Sequence, residues 1–189
     1  IFFWIALAAG ILVKGPISPA IAILTITALV IWHRGAGWIK PLRLGRGLIL
    51  VALITLPWAV LVTAATDGAF LDIAVNGDFL AKVQSGQESH GAPPLTYLAL
   101  FGVLLWPASL LLPSALLHIK AMLARDSTRF LLAWLVPFWL TIELIPTKLP
   151  HYPLPVVPAA ILLLLWSADR VVTLSPLRQK FYLAGQYVL

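Results

Sequence analysis

Gly47-Leu48-Ile49-Leu50-Val51-Ala52-Leu53-Ile54-Thr55-Leu56-Pro57-Trp58-Ala59-Val60-Leu61-Val62-Thr63-Ala64-Ala65-Thr66 runs for twenty residues without a charge, between Arg46 and Asp67. At a helical rise of about 1.5 Å per residue it reaches about 30 Å, the thickness of a bilayer's hydrocarbon core. Five more apolar runs flank it: Ile1–Val13, Ile17–Trp32, Leu95–Leu117, Phe130–Ile145 and Leu154–Ala168. Several are short for a full crossing and need their flanks, or a thinned bilayer, to complete it. Pro57, Pro107, Pro113 and Pro137 fall inside runs. Membrane helices tolerate such prolines because neighbouring groups re-satisfy the freed carbonyls. The expected fold is all-α: one polytopic transmembrane helix bundle over residues 1–189, with about six crossings and an outer-side interfacial helix and loop over 67–94.

Composition agrees. Hydrophobic residues make up 61% of the chain and charged residues 11%. Soluble domains carry about 25% charge, so this chain lacks the residues for a polar shell. Its mean hydropathy is +0.97. There is no cysteine, which excludes disulfides, thiolate zinc sites and thiol catalysis. Ile1–Val13 has neither the basic start nor the small-residue cleavage site of a signal peptide. It reads as the second half of a helix, and the chain as a fragment cut at both ends.

The net charge of +6 does not indicate nucleic acid, because the basic residues alternate with the apolar runs. Arg34, Lys40, Arg43 and Arg46 follow the second run; Lys120, Arg125 and Arg129 follow the fourth; Arg170, Arg178 and Lys180 follow the sixth. These ten of the thirteen Lys and Arg fall on alternate connections. The positive-inside rule makes that side cytoplasmic. The other three, Lys14, Lys82 and Lys148, fall on the opposite, outer side.

The outer side also holds the polar residues that break the apolar pattern. Phe70 to Asn76 has roughly helical spacing of apolar and polar residues, as in a helix lying along the interface. Asp78 and Lys82 are spaced for a simple i,i+4 pair. Glu88 and His90 could bind a metal or move a proton, or be an ordinary solvated loop pair. Lys14, before Gly15-Pro16, could merely reach from a helix end to the headgroups. Glu143 lies near the end of a run, where an ionisable group is costly. After it, Pro146, Pro150, Pro153, Pro155 and Pro158 suppress regular helix and should fix Lys148, His151 and Tyr152 in a stiff outer turn. A lipid-linked phosphate would sit at this level, its chain among the helices and its headgroup among the lysines. Lysine meets phosphate as a compact point charge.

Lys14-Gly15-Pro16, the stretch from Gly77-Asp78 through Glu88-Ser89-His90-Gly91-Ala92-Pro93-Pro94, and Pro146-Thr147-Lys148-Leu149-Pro150-His151-Tyr152 occur in that order. Together they resemble motifs of a bacterial GT-C type membrane glycosyltransferase family. It includes the aminoarabinose transferase of lipid A and relatives of the protein O-mannosyltransferases. The resemblance implies a sugar donor on a polyprenyl phosphate and a lipid, glycan or protein acceptor, at the outer face of a bacterial inner membrane. It implies that Lys14, Lys148 and Lys82 lie near the donor phosphate. Glu88, His90, Glu143, His151 and Tyr152 would orient substrate. Asp78 falls near the position where the aminoarabinose transferase has a metal-binding histidine, a departure from the family's pattern; Asp78, Glu88 and His90 are the candidates should a divalent metal bind. The family's catalytic acidic residue has no counterpart here and is expected upstream of Ile1.

Two other classes compete. A lipid or small-solute transporter would need ionisable groups near mid-membrane, whereas these gather at one surface. A non-catalytic scaffold leaves the clustered outer lysines and histidines unexplained.

Overall fold

The structure, a computed structural model, describes residues 1–74, 91–168 and 176–186. Among them the chain is helical, with no strand; an isolated antiparallel bridge joins Gly91 to Thr147. Helices α1 (Phe2–Lys14), α2 (Ile17–His33) and α3 (Leu44–Ala65) follow the first three apolar runs closely. A single turn, α4 (Ala69–Asp72), comes next. It overlaps the beginning of the stretch expected to lie along the interface; Phe70 lies edge-on to Trp58 with ring centroids 5.7 Å apart.

The fourth run departs from expectation. Instead of one helix over 95–117 it is broken into α5 (Thr96–Ala99), α6 (Phe101–Leu104), a 3-10 turn at Ala108–Leu111 and α7 (Leu112–Leu117). Pro107 accounts for the break after α6: it lacks an amide proton and cannot continue the ladder. The Ser109 hydroxyl donates to the Gly102 carbonyl at 2.8 Å and bridges the break. After α8 (Ile119–Leu123) comes α9 (Asp126–Leu144), which passes through Pro137 unbroken. The sixth run is a 3-10 turn at Leu154–Val156 leading into α10 (Val157–Leu165), and α11 (Pro176–Gln186) is the last described element. Among the described residues one helix, α3, is by itself long and apolar enough to cross a membrane.

Packing fixes the directions. Trp4 donates its indole proton to the Leu42 carbonyl at 2.9 Å, and Trp4, Ala8 and Ile11 cluster with Val51 and Ile54, so α1 and α3 run parallel. A Cβ at Gly47 would overlap the Trp4 ring, so the approach of these helices depends on glycine there. Gly15, at φ 60°, lets α1 reverse into α2. α2 lies antiparallel to α9: Ile17 and Ile21 pack with Phe138, Trp139 and Ile142, while Trp32 at the other end faces the Arg129 guanidinium. α10 returns along α9, with Ala160, Leu163 and Leu164 in a cluster that includes Leu131, Leu132 and Leu135.

The bundle therefore has two unlike ends. One gathers the Lys14 turn, the end of α3 and the 145–153 turn. The other gathers Arg34, Arg43, Arg46, Arg125 and Arg129. Threonines within the apolar helices satisfy their hydroxyls locally, which spares the apolar surround a polar group without a partner. The Thr25, Thr55, Thr63 and Thr141 hydroxyls each donate to the carbonyl four residues back.

Candidate functional site

The site is built where α9 stops. Pro146 disfavours helical geometry in the residue before it, and Ile145 is extended at φ −68° and ψ 128°. A helix end leaves its last carbonyls without partners. Here the Lys148 side chain folds back and supplies them. Its ammonium donates to the carbonyls of Ile142 at 2.8 Å, Glu143 at 2.6 Å and Ile145 at 2.7 Å. A lysine ammonium has three protons, so all are committed.

Glu143 completes the arrangement. One carboxylate oxygen accepts the Leu98 amide proton at 2.7 Å, at the start of α5, where helix amides lack partners of their own. The other lies 3.9 Å from the Lys148 ammonium and, among the described residues, accepts no hydrogen bond. The Lys148 ammonium also stands 5.4 Å over the Tyr97 ring. Glu143 is 4% exposed and Lys148 8%, so both charges are removed from water. Each such ion costs several kcal/mol to desolvate, while a pair about 4 Å apart recovers about 4 kcal/mol at an effective dielectric of 20. The pair alone does not offset its burial; the three carbonyls and the Leu98 amide offset a further part. Burial draws the Lys148 ammonium below its ordinary value, and the Glu143 charge pulls the other way.

The turn is pinned on both flanks. Tyr97 donates its hydroxyl proton to the Leu149 carbonyl at 2.8 Å, and the Ala92 amide donates to the Pro146 carbonyl at 3.2 Å. Thr147 is buried opposite Gly91. His151 is exposed and stands edge-on to Tyr152, centroids 5.2 Å apart. Tyr152 is half-buried against the cluster of Tyr97, Phe138, Trp139, Ile142 and Val156.

The structure thus brings Glu143, Lys148, His151 and Tyr152 into one turn, with Lys14 exposed on the same end of the bundle at the close of α1. Asp78, Lys82, Glu88 and His90 lie outside the described residues. Among those described, no three His, Asp or Glu converge on a possible metal position. In this arrangement the end of α9 takes all three protons of the Lys148 ammonium. Sequence reading missed Tyr97, which looked like one more residue of the fourth apolar run. Its place just after Pro93-Pro94 was the available signal, and a weak one.

No family model matches the chain. The chain is 32% identical over 161 residues to the undecaprenyl phosphate-alpha-4-amino-4-deoxy-L-arabinose arabinosyl transferase of Shewanella sediminis, covering 82% of this chain and 28% of that protein. The enzyme of the same name from Erwinia tasmaniensis is 34% identical over 160 residues, covering 82% of this chain and 28% of the relative. That of Enterobacter sp. strain 638 is 31% identical over 183 residues, covering 92% and 31%. The chain thus spans under a third of the length of these relatives. Among solved structures, the crystal structure of ArnT from Cupriavidus metallidurans bound to undecaprenyl phosphate superposes with a TM-score of 0.77 at 24% identity, covering 98% of this chain and 33% of that one. At that identity the likeness shows the fold.

Proposed function

We infer the function of this chain from its kinship: it is a homologue of a segment of the undecaprenyl phosphate-aminoarabinose arabinosyl transferases, in keeping with the GT-C type resemblance of its motifs. We propose that it forms part of a glycosyltransferase that moves a sugar from a polyprenyl-phosphate donor to a lipid, glycan or protein acceptor. The observation that carries this reading is the gathering of two of the three motifs, Lys14-Gly15-Pro16 and Pro146 to Tyr152, at one end of an apolar bundle.

In this reading the chain is a single transmembrane unit that crosses the inner membrane about six times, with the basic end in the cytoplasm and the motif end facing the periplasm. The donor's polyprenyl chain lies against the apolar helices and its phosphate at the motif end. An acceptor group attacks the anomeric carbon; the bond from that carbon to the phosphate oxygen breaks, and polyprenyl phosphate leaves with the electron pair. Positive charge from Lys14, Lys82 and Lys148 favours the leaving phosphate as its charge grows. His90, His151, Tyr152, Glu88 and Glu143 orient the reacting groups. Lys14, exposed, and Lys82 are the cations for direct contact, while Lys148 and Glu143 contribute from beneath the surface. A divalent metal, if the reaction uses one, falls to Asp78, Glu88 and His90. The carboxylate that activates the acceptor is expected from sequence preceding Ile1.

The test is a transfer assay on the full-length membrane protein with an undecaprenyl-phosphate-linked sugar. Lys14→Ala should raise the donor KM by about tenfold, the loss of one charge-assisted phosphate contact. Unchanged donor KM and turnover would remove Lys14 from the site.

A further inference from the structure

We propose that Glu143 and Lys148 form a positioning pair, which sets the His151–Tyr152 turn against the segment leading in from the outer loop without either residue touching the donor. The proposal rests on the reading of the motif end as the donor site, and adds how that end is assembled.

Three segments far apart in sequence meet at this pair. The first is the end of α9, whose carbonyls at Ile142, Glu143 and Ile145 converge on the Lys148 ammonium at 2.6–2.8 Å. The second is the turn that carries His151 and Tyr152, which begins at Lys148 itself. The third is residues 91–98, attached through Leu98 to the Glu143 carboxylate, through Tyr97 to the Leu149 carbonyl, and through Ala92 to the Pro146 carbonyl. Residues 91–98 continue directly from the stretch that bears Asp78, Lys82, Glu88 and His90. The pair therefore joins the second and third motifs from below.

Direct donor contact fits the geometry poorly. The side chains of Lys148 and Glu143 are 4% and 5% exposed. A phosphate could reach the ammonium only by displacing a helix-end carbonyl and moving the turn it is meant to find in place. The site also suits a compact ammonium and not a planar guanidinium, because three carbonyls converge on one nitrogen. Arginine, which would serve a phosphate at least as well, should therefore fail here.

The experiment uses the full-length protein in membranes and four variants: Lys148→Met, Lys148→Arg, Glu143→Gln and the double variant Glu143→Gln/Lys148→Met. Positioning predicts that Lys148→Met and Lys148→Arg both lower kcat by about tenfold or more, with donor KM within about threefold of wild type. It predicts that the double variant, which removes both charges together, is no worse than Lys148→Met alone. A tenfold rise in donor KM for Lys148→Met, restored by Lys148→Arg, would overturn the proposal and make Lys148 a phosphate ligand. A double variant reduced by the product of the two single losses would overturn it too.

A second measurement does not depend on turnover. These 189 residues contain no cysteine, so Gly91→Cys and Thr147→Cys can be introduced together across the bridge, any cysteine elsewhere in the full-length protein being replaced, and oxidised in membranes. The crosslink should form readily, and about tenfold more slowly when Glu143→Gln or Lys148→Met is added. An unchanged rate would show that the pair does not hold these segments together. Should Lys14→Ala leave donor use untouched while the crosslink still depends on the pair, Lys14 drops out of the donor site and the positioning stands.

Discussion

Leu98 gives its amide proton to the Glu143 carboxylate at 2.7 Å, a bond between residues 45 apart in the chain. It joins the helical turn α5 to the last turn of α9. Removing it strands a donor and leaves the Lys148 charge without its counter-ion. Glu143→Ala should therefore destabilise the protein by about 3–5 kcal/mol, the range for breaking a buried ion pair from one side. Loss of a single hydrogen bond would cost only about 1–3 kcal/mol. Thermal unfolding in detergent by intrinsic tryptophan fluorescence separates the two, and a shift within error of wild type would mean the pair bears no load.

Lys148 should also give the protein a signature at alkaline pH. Its folded pKa lies below the unfolded value of 10.5, so between the two the unfolded chain binds more protons. Stability then rises as pH climbs through that window and levels off at the unfolded value. The difference in melting temperature between wild type and Lys148→Met should grow in favour of wild type from neutral pH toward 10.5. A difference that shrinks with pH would reverse the assigned direction. The sign means that the buried charge is kept at some cost in stability, as expected of a group retained for where it places its neighbours.

Gly47 tests the α1–α3 seam. Gly47→Val would drive a side chain into the Trp4 ring and separate the indole from the Leu42 carbonyl. Overpacking of this kind costs about 1–3 kcal/mol, and the lost hydrogen bond about 1 kcal/mol more. A melting temperature equal to wild type would show that α1 is free to move away from α3.

Sidedness can be measured directly. Asp67→Cys and Arg43→Cys lie exposed at opposite ends of α3. An impermeant thiol reagent added outside spheroplasts should label the first and spare the second. The opposite pattern would turn the bundle over and put the donor site in the cytoplasm.

Much of the helical framework was legible because an apolar run of sufficient length has few alternatives in lipid. Helices α1, α2 and α3 start and stop within a few residues of their runs, where Gly15-Pro16, Arg34 and Arg43 interrupt them. The breaks within Leu95 to Leu117 were not legible because hydropathy averages over a window and does not register where the hydrogen-bond ladder fails. Pro107 was visible, but whether a proline kinks a helix or divides it depends on the neighbours, as the unbroken passage of α9 through Pro137 shows. At the site, the proline spacing after Glu143 correctly indicated a fixed turn holding Lys148, His151 and Tyr152. It could not show that Lys148 points inward, because that follows from three carbonyls left at a helix end. Tyr97 was hidden for a similar reason: its partner is the Leu149 carbonyl, and a backbone group leaves no mark in a sequence.

The antiparallel course of α1 and α2 has an electrostatic consequence. A helix carries roughly half a negative charge at its C-terminus and half a positive charge at its N-terminus. At the Gly15-Pro16 reversal these two ends stand side by side and largely cancel, leaving the Lys14 charge nearly whole. At the end of α9 the Lys148 charge is already engaged: three helix-end carbonyls take its protons and the Glu143 carboxylate stands 3.9 Å away, so part of its field is spent within the protein. Two lysines at the same level of the bundle thus differ in strength as an approaching anion meets them, one nearly whole and the other partly offset from within.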